Sequence, residues 1–333
     1  MHTAAMWLLL LACTAPKESL PLESAADSGD SGDMPILAVP WEDPNFWTDP
    51  GPLQPLMENP QDPPGPEWEV RIATSDDGQT WVADERLIAR GMSSLHLLIT
   101  DLGLIFTGVL DRRHLEGIGL DLPSDALYAL VTADLETWGS HTWSIEGGSY
   151  AQAIDPLLYW NPQGEVEAAW FGTSFDGDPA QQPGPHPILG AVWDGQAFLQ
   201  EAEPLWEEEG LADPAICTLD GQSWMFATQD AGRVVAARSE SGRNFEATAL
   251  SWGGPTVPFC WEEEDHLMVI AQTTGGAQPP ELLQVNADGS SEAQGTFWDR
   301  SPFPSEFGNS CTSPVVGQLD GLWVFACAMS RPG

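Results

Sequence analysis

The sequence predicts an all-β fold made of a repeated strand unit, because three features recur along its 333 residues. Pairs of short apolar strands alternate with polar hairpin turns, and 33 glycines and 29 prolines leave no room for long helices. One strand pair and one turn-linked pair make a four-stranded meander. Five such sheets arranged radially form a five-bladed β-propeller, which the alternation of two markers favours over the alternative, an all-β sandwich.

The first marker is a short apolar strand, a turn, and a second strand rich in aromatic or β-branched residues. Its five copies are SLHLLITDLGLIFTG from Ser94, IDPLLYWNPQGEVEAAWFG from Ile154, ADPAICTLDGQSWMFA from Ala212, TVPFCWEEEDHLMVIA from Thr256 and TSPVVGQLDGLWVFA from Thr312. We align these copies on His96, Pro156, Pro214, Pro258 and Pro314. The position before the anchor then holds Leu95, Asp155, Asp213, Val257 and Ser313.

The second marker is a polar turn, followed in four of its five copies by an aromatic residue. The copies are TSDDGQTW (74–81), TADLETW (132–138), WDGQAF (193–198), SESGRNF (239–245) and the weaker NADGSS from Asn286. The first turn marker precedes the first strand pair, and no turn marker follows the last strand pair. Strands near 311–328 are therefore predicted to complete a blade begun by residues 68–90, so that the N- and C-terminal strands share one blade and close the ring.

The charge balance restricts the partners of this chain. It has 11 Lys+Arg against 50 Asp+Glu, a formal net charge of −39, so nucleic-acid binding is excluded and an anionic membrane surface is repelled. We expect no metal and no cofactor, because the cysteines are scattered and no D-x-D-x-D-G loop supports a calcium site. No feature indicates an oligomer, and we expect a monomer.

The N-terminal residues MHTAAMWLLLLA, followed by Cys13, resemble a bacterial lipoprotein signal peptide. The resemblance implies removal of residues 1–12 and lipidation of Cys13. It also implies an exported chain held in the cell envelope, at the outer membrane, which meets the membrane only through its lipid. Residues 13–38 have the small, acidic composition of a flexible tether, and 39–333 form the propeller domain. The alternative is a cytosolic protein with an apolar start.

Export would place four further cysteines in an oxidising compartment, where they can form two disulfides with three pairings open. These cysteines are Cys217, Cys260, Cys311 and Cys327.

The turn TSDDGQTW resembles the Asp box of sialidases and related propellers, S/T-x-D-x-G-x-T-W. It matches at Thr74, Asp76, Gly78, Thr80 and Trp81. This motif indicates a fold: the Asp can accept hydrogen bonds from the amides of its own turn, and the Gly can take a positive φ. A sialidase also needs an arginine cluster and a tyrosine nucleophile, whereas this chain has three tyrosines and no F-R-I-P segment. A sialidase-like activity is therefore the last alternative.

The segment AIDPLLYWNPQG from Ala153 resembles the A-I-D-P strand of five-bladed propeller glycoside hydrolases, the class of arabinanases and β-xylosidases. In that class a general-base Asp, a pKa-tuning Asp and a general-acid Glu enter the central cavity from the innermost strands of successive blades. The resemblance implies that Asp155 is the tuning residue and that Asp213, in LADPAI, stands at the acid position. Asp43 of WEDPNFW, or Glu42 beside it, is the base candidate. Asp213 is one methylene shorter than Glu, so the triad is incomplete or rearranged.

Two functions follow from this resemblance. The first is a surface-tethered, carbohydrate-interacting propeller that binds a glycan or a protein partner at its central channel without catalysis; the alternative is a glycoside hydrolase that uses the channel carboxylates. An enzyme should bring two carboxylates together in one aromatic-walled pocket. A scaffold that has lost the chemistry should show them salt-bridged or scattered. In that case each Asp-Pro pair serves only to form a turn at the start of its strand. The candidates for ligand contact are His96, Trp41, Trp47 and Trp160.

Overall fold

The structure is a computed structural model that describes residues 68–84, 86, 88–110, 126–147, 152–173, 185–230, 232–273, 278–303 and 311–330. Every regular element in these ranges is a β-strand, as the sequence predicted. A search of the same ranges finds no helix with the length and apolarity to cross a membrane.

Within the described residues the strands form four sheets. The nine-stranded sheet consists of two antiparallel meanders joined by a short parallel pairing of Phe198 and Leu199 with Ile145 and Glu146, and we number the resulting five meanders as blades 1 to 5. Blade 1 contains β4 (Met92–Thr100), β5 (Gly103–Leu110), β6 (Ala126–Thr132) and β7 (Trp138–Glu146). Blade 2 contains β8 (Gln152–Trp160), β9 (Val166–Thr173) and β10 (Pro185–Trp193), with β11 (Phe198–Gln200) and β12 (Trp206–Glu209) outside them. Blade 3 contains β13 (Leu211–Leu219), β14 (Gln222–Gln229), β15 (Arg233–Ser239) and β16 (Glu246–Gly253).

Blade 4 contains β17 (Pro255–Glu263), β18 (His266–Thr273), β19 (Glu281–Asn286) and β20 (Ser291–Thr296). Blade 5 contains β21 (Val315–Leu319), β22 (Leu322–Ser330) and β1 (Trp68–Ser75), with the short β2 (Val82–Ala83) and β3 (Ala89–Arg90) on its outer edge. The innermost strands contact one another in a closed circuit, from β4 through β8, β13, β17 and β21 back to β4.

Ring closure follows the sequence prediction. Strand β1 pairs antiparallel with β22 over its whole length, from Trp68 opposite Ser330 to Ser75 opposite Trp323. The N-terminal and C-terminal strands therefore share blade 5, and the sandwich alternative is rejected. At the closing seam Gly317 of β21 faces β4 so closely that a Cβ at this position would lie 2.7 Å from Leu97 Cδ2.

Apolar side chains fill the wedges between neighbouring blades. Trp170 and Trp224, both at repeat positions, are almost fully buried in two of these clusters. Covalent links add to the packing, because Cys217 of β13 pairs with Cys260 of β17, and Cys311 pairs with Cys327 of β22. The structure thus contains one of the three pairings that the sequence left open.

The polar turns use a different aspartate from the one expected. Asp77, rather than Asp76, accepts the turn amides, with 2.8 Å from Gln79 N and 2.7 Å from Thr80 N. These hydrogen bonds, led by the one from Thr80, hold the pKa of Asp77 well below its usual value. Gly78 has the expected positive φ, 68°. The acceptor lies four residues before Trp81, a spacing that the Asp134 and Asp194 turns share, so the aromatic residue sets the register.

Candidate functional site

A β-bulge interrupts the innermost strand of each of blades 1 to 4 near its start. A bulge bends its strand and re-aims one side chain, and it commonly lies beside functional sites. In each bulge one residue has a left-handed backbone: Ser94 (φ 51°), Asp155 (φ 52°), Asp213 (φ 48°) and Val257 (φ 50°). Aspartate tolerates this conformation, whereas a β-branched valine is strained by it.

The bulges correct the repeat alignment in blade 1. Ser94, and not Leu95, is the residue equivalent to Asp155 and Asp213, because it has the same backbone conformation at the same point of the bulge. His96 consequently follows the bulge, as Leu157 does in blade 2. The alignment on proline shifted this blade by one residue, because blade 1 has no proline at its bulge.

The structure brings Asp155 and Asp213 together. Asp155 is 6% exposed and Asp213 is partly exposed, and their side chains hydrogen-bond to each other. Asp155 also accepts hydrogen bonds from the Ser94 hydroxyl and from the Asp213 backbone N–H. On the other side, Asp213 accepts a hydrogen bond from the Thr228 hydroxyl. Thr228 Oγ1 in turn accepts the N–H of Val257 at 2.8 Å, so the contacts connect the bulges of four successive blades.

Burial raises the pKa of both carboxyl groups. The pKa of Asp155 stands well above its usual value, first through burial and then through the charge of Asp213. Burial also raises the pKa of Asp213, against the opposing hydrogen bonds from Thr228 and Asp155. Two carboxylates in contact cannot both ionise cheaply, so the second proton leaves the pair at a higher pH than the first. No ion pair among the described residues includes either aspartate.

His96 lies on β4 inside blade 1, with only 4% of its surface exposed. Burial lowers its pKa to about 3, so the imidazole is neutral at physiological pH. The residue opposite it on β5, Thr107, donates its hydroxyl to the Pro156 carbonyl at 2.7 Å. Blade 1 therefore holds the Asp-Pro bulge of blade 2 in place through Thr107.

Trp160 lies at the other end of β8 from Asp155, roughly 16 Å away for five residues of extended strand. Its indole N–H donates to the Ile99 carbonyl at 3.1 Å, and its own carbonyl accepts the Thr218 hydroxyl at 3.1 Å. These contacts join blade 2 to blades 1 and 3. The structure thus does not bring Trp160 to the aspartate pair, and the ring has a structural role.

The remaining predicted site residues, Asp43, Trp41, Trp47 and Cys13, lie outside the described residues. The described part of the chain contains no cluster of three or more His, Cys, Asp or Glu side chains that could hold a metal ion.

Two residues of the site were missed by the sequence reasoning. Ser94 stands at the first residue of its repeat copy and could have been found by aligning the copies on the bulge. Thr228 lies on β14, the second strand of blade 3, where nothing in the local sequence marks it. The pairing of β13 with β14 brings it to Asp213.

Solved structures with a similar fold are glycoside hydrolases. An α-L-arabinofuranosidase from Clostridium thermocellum matches with a TM-score of 0.52 and 12% identity, over 70% of this chain and 80% of that chain. An exo-β-1,3-galactanase from Phanerochaete chrysosporium matches with a TM-score of 0.50 and 12% identity, over 78% of this chain and 64% of that chain. A GH43 enzyme from Xanthomonas citri, complexed with xylose, matches with a TM-score of 0.50 and 13% identity, over 72% of this chain and 87% of that chain.

No protein-family model matches the sequence, and a search of curated proteins gives no match. At these identities the structural similarity establishes the fold alone. The chain has the β-propeller fold of GH43 glycoside hydrolases.

Proposed function

We propose that this chain is a carbohydrate-binding propeller that holds a neutral glycan beside Asp155 and Asp213 and does not cleave it. One observation carries the proposal: the bulge of blade 1 has Ser94 where those of blades 2 and 3 have Asp155 and Asp213, so this position supplies no base carboxylate.

Glycoside hydrolysis needs two carboxyl groups that flank the scissile bond. They stand about 5 Å apart in retaining enzymes and roughly 6.5 to 9.5 Å apart in inverting ones. Asp155 and Asp213 contact each other and stand at the tuning and acid positions, so the second flanking carboxylate has to come from another part of the chain. The equivalent bulge of the preceding blade supplies Ser94, which is a poor general base.

The pair suits an uncharged ligand rich in hydroxyl groups. A carboxylate accepts hydrogen bonds from sugar hydroxyls, and these charge-assisted bonds are stronger than bonds between neutral groups. The net charge of −39 repels an anionic glycan. Because the fold is similar to that of arabinofuranosidases and galactanases, neutral pentose and hexose oligosaccharides are the first ligands to test.

The test is binding of the chain from Thr14 onward to neutral oligosaccharides by titration calorimetry. We expect saturable binding of at least one compound, and we expect Asp213→Asn to weaken it about 10- to 100-fold, because a hydrogen bond to a charged group is lost. Asp101→Asn, in an exposed hairpin turn of blade 1, is the matched control and should bind like the wild type. Equal affinity of the wild type and Asp213→Asn would refute the proposed site.

A glycoside hydrolase is the second candidate. The raised pKa of Asp155 favours it, because a carboxyl group that keeps its proton near neutral pH can serve as a general acid. This function needs a further carboxylate on the opposite side of the ligand, for which Asp43 is the candidate. It would show as product release from a bound oligosaccharide that Asp213→Asn and Asp43→Asn both abolish.

We also propose that the chain is an exported monomer, anchored in the bacterial envelope through a lipid on Cys13. The sequence has five cysteines, and four of them form the two disulfides expected of an oxidising compartment. Cys13 is the cysteine left for modification. Metabolic labelling with a fatty-acid analogue in a bacterial host should label the wild type and leave Cys13→Ser unlabelled; equal labelling of both would refute the anchor.

A further inference from the structure

We infer that the aspartate pair is polarised: its single proton resides on Asp155, and Thr228 is the positioning residue that keeps Asp213 ionised toward the ligand. This inference deepens the proposed function and rests on it for the identity of the ligand. In the propeller hydrolases that this chain resembles, the position of Asp213 carries the general acid. The polarity inferred here is the reverse, because Asp213 presents an acceptor instead of a donor.

The first argument is burial. Asp155 is 6% exposed, whereas Asp213 is partly exposed to solvent. A carboxylate loses less hydration at the more exposed position, so the negative charge costs less on Asp213 than on Asp155. The buried member of the pair therefore keeps the proton and donates it in the hydrogen bond to Asp213.

The second argument is the direction of the hydrogen bonds around Asp213. The Val257 N–H points at Thr228 Oγ1 from 2.8 Å and occupies a lone pair of that oxygen. The hydroxyl hydrogen of Thr228 is then free to point at Asp213, and a chain of donors runs from Val257 through Thr228 to a carboxylate. Such cooperative hydrogen bonds stabilise the ionised form.

The contacts of Asp155 agree with this polarity. Its carboxyl group accepts from the Ser94 hydroxyl and the Asp213 N–H, and one carbonyl oxygen of a protonated carboxyl group has two lone pairs for these donors. Its O–H then serves the bond to Asp213. One carboxyl proton on Asp155, together with the donors of Ser94, Thr228 and the Asp213 N–H, therefore accounts for all four hydrogen bonds of the pair.

Among the described residues, the side chains that hydrogen-bond to the pair carry no charge of their own. Ser94 on β4, Thr228 on β14 and Val257 on β17 are all uncharged at any physiological pH. His96 on β4 is neutral because of its burial. The polarity is thus set within the pair and by its two hydroxyl neighbours.

The test is a pH titration of the carboxyl carbons of the full propeller chain, labelled with 13C-aspartate and followed by NMR without any ligand. Asp155→Asn and Asp213→Asn assign the two resonances. We expect the Asp155 carboxyl to remain protonated at pH values where the Asp213 carboxyl is already ionised. A protonated Asp213 beside an ionised Asp155 would overturn the inference.

Thr228 is tested by two substitutions and a control. Thr228→Val removes the donor and should raise the midpoint of Asp213 by about one pH unit, the size expected for one lost hydrogen bond to a charged group. Thr228→Ser keeps the hydroxyl and should restore the wild-type titration. Thr218→Val removes another hydroxyl of blade 3, one that donates to the Trp160 carbonyl. It should leave the titration midpoints of Asp155 and Asp213 unchanged.

An unchanged Asp213 midpoint in Thr228→Val, or the same shift in Thr218→Val, would overturn the role of Thr228. If Thr228→Val does not fold, the polarity of the wild-type pair and the Thr228→Ser titration still decide. Because no ligand is present, these outcomes are independent of whether a glycan binds.

Discussion

At the residue scale, the main finding is that Asp155 and Asp213 form a carboxyl pair that makes no ion pair with any other described residue. Asp155 is held by hydrogen bonds from neighbouring blades, yet its environment disfavours its own charge. That conflict has a consequence for stability as well as for binding, because a group with a shifted pKa makes the free energy of unfolding depend on pH.

The stability of the chain should fall as the pH rises through the titration of Asp155. The folded-state pKa of Asp155 is raised, so the native state binds more protons than the unfolded state between the usual value, 3.8, and the raised one. The contribution of Asp155 to the free energy of unfolding is full below its usual pKa and is lost as the pH rises through its folded-state pKa. Urea unfolding between pH 4 and pH 8 measures this dependence.

Asp155→Asn should remove that part of the pH dependence, because an amide cannot ionise and its NH2 group can still donate to Asp213. At neutral pH we expect the variant to be more stable than the wild type, because an amide, unlike this carboxyl group, gains nothing by ionising in the unfolded chain. Asp101→Asn, in an exposed turn, should keep the wild-type pH dependence. A wild-type-like pH dependence in Asp155→Asn would contradict this account of the pair.

The Asp box turn supplies a second prediction. Asp77 accepts hydrogen bonds from two amides of its turn, whereas the motif pattern selects Asp76. Substituting each of these neighbours in turn therefore gives a variant and its matched control. We expect Asp77→Ala to lower the Tm clearly and Asp76→Ala to leave it nearly unchanged at pH 7. The Asp77 effect should be full above the usual value, 3.8, and fade as the pH falls toward the depressed pKa, because protonation removes from the wild type an acceptor charge that Asp77→Ala lacks at every pH. A larger loss in Asp76→Ala would restore the original motif assignment.

At the element scale, the innermost strands owe their functional geometry to the bulges. Four successive blades place one left-handed residue at the same point, and in blade 4 that residue is Val257. A valine in this conformation stores about 1 to 3 kcal/mol of backbone strain, which the surrounding strands must hold.

Val257→Gly should therefore be neutral or stabilising by about 1 kcal/mol, since glycine relieves the strain and the partly exposed side chain gives up little burial. Val235→Gly, at a partly buried position of β15 whose φ is not left-handed, should instead destabilise by about 1 to 2 kcal/mol. Chemical denaturation of both variants measures the difference. Equal losses would show that the left-handed backbone of Val257 carries no strain.

The limits of the sequence prediction also lie at this scale. Strand pairs and turns were predicted because alternating apolar residues and turn residues act locally. The repeat alignment of blade 1 was shifted by one residue, because Ser94 and Leu95 lack the Asp-Pro pair that blades 2 and 3 have at this point. Trp160 was assigned to the ligand from its residue type, yet its place at the far end of β8 is decided by the length of the strand. Thr228 reaches the site only through strand pairing, which no local pattern reports.

At the scale of the whole molecule, the ring is closed by non-covalent strand pairing in blade 5, where the Cys311–Cys327 disulfide also lies. The link between Cys217 and Cys260 joins the innermost strands of blades 3 and 4, which also carry Asp213 and Val257. The alternation of markers along the sequence was enough to predict closure by residues 68–90, because a ring needs one blade shared by both ends.

Replacing both Cys217 and Cys260 by alanine should lower the free energy of unfolding by roughly 2 to 5 kcal/mol. The same change at Cys311 and Cys327 should cost about 1 kcal/mol less in loop entropy, because the sequence separation is 16 residues instead of 43. Urea unfolding of the two double variants under oxidising conditions compares the links. A greater loss at the shorter link would show that packing around the disulfides, and not loop closure, determines their contribution.

The central claim concerns what the whole propeller does with a glycan once it is bound. The direct measurement is release of reducing sugar from the tightest-binding oligosaccharide of the calorimetric panel, with the wild type compared with Asp155→Asn and Asp213→Asn. We expect no release by the wild type above the level of the two variants, because the bulge of blade 1 carries Ser94 in place of the second carboxylate that hydrolysis needs. Release that either substitution abolishes would contradict the claim and identify the chain as a glycoside hydrolase.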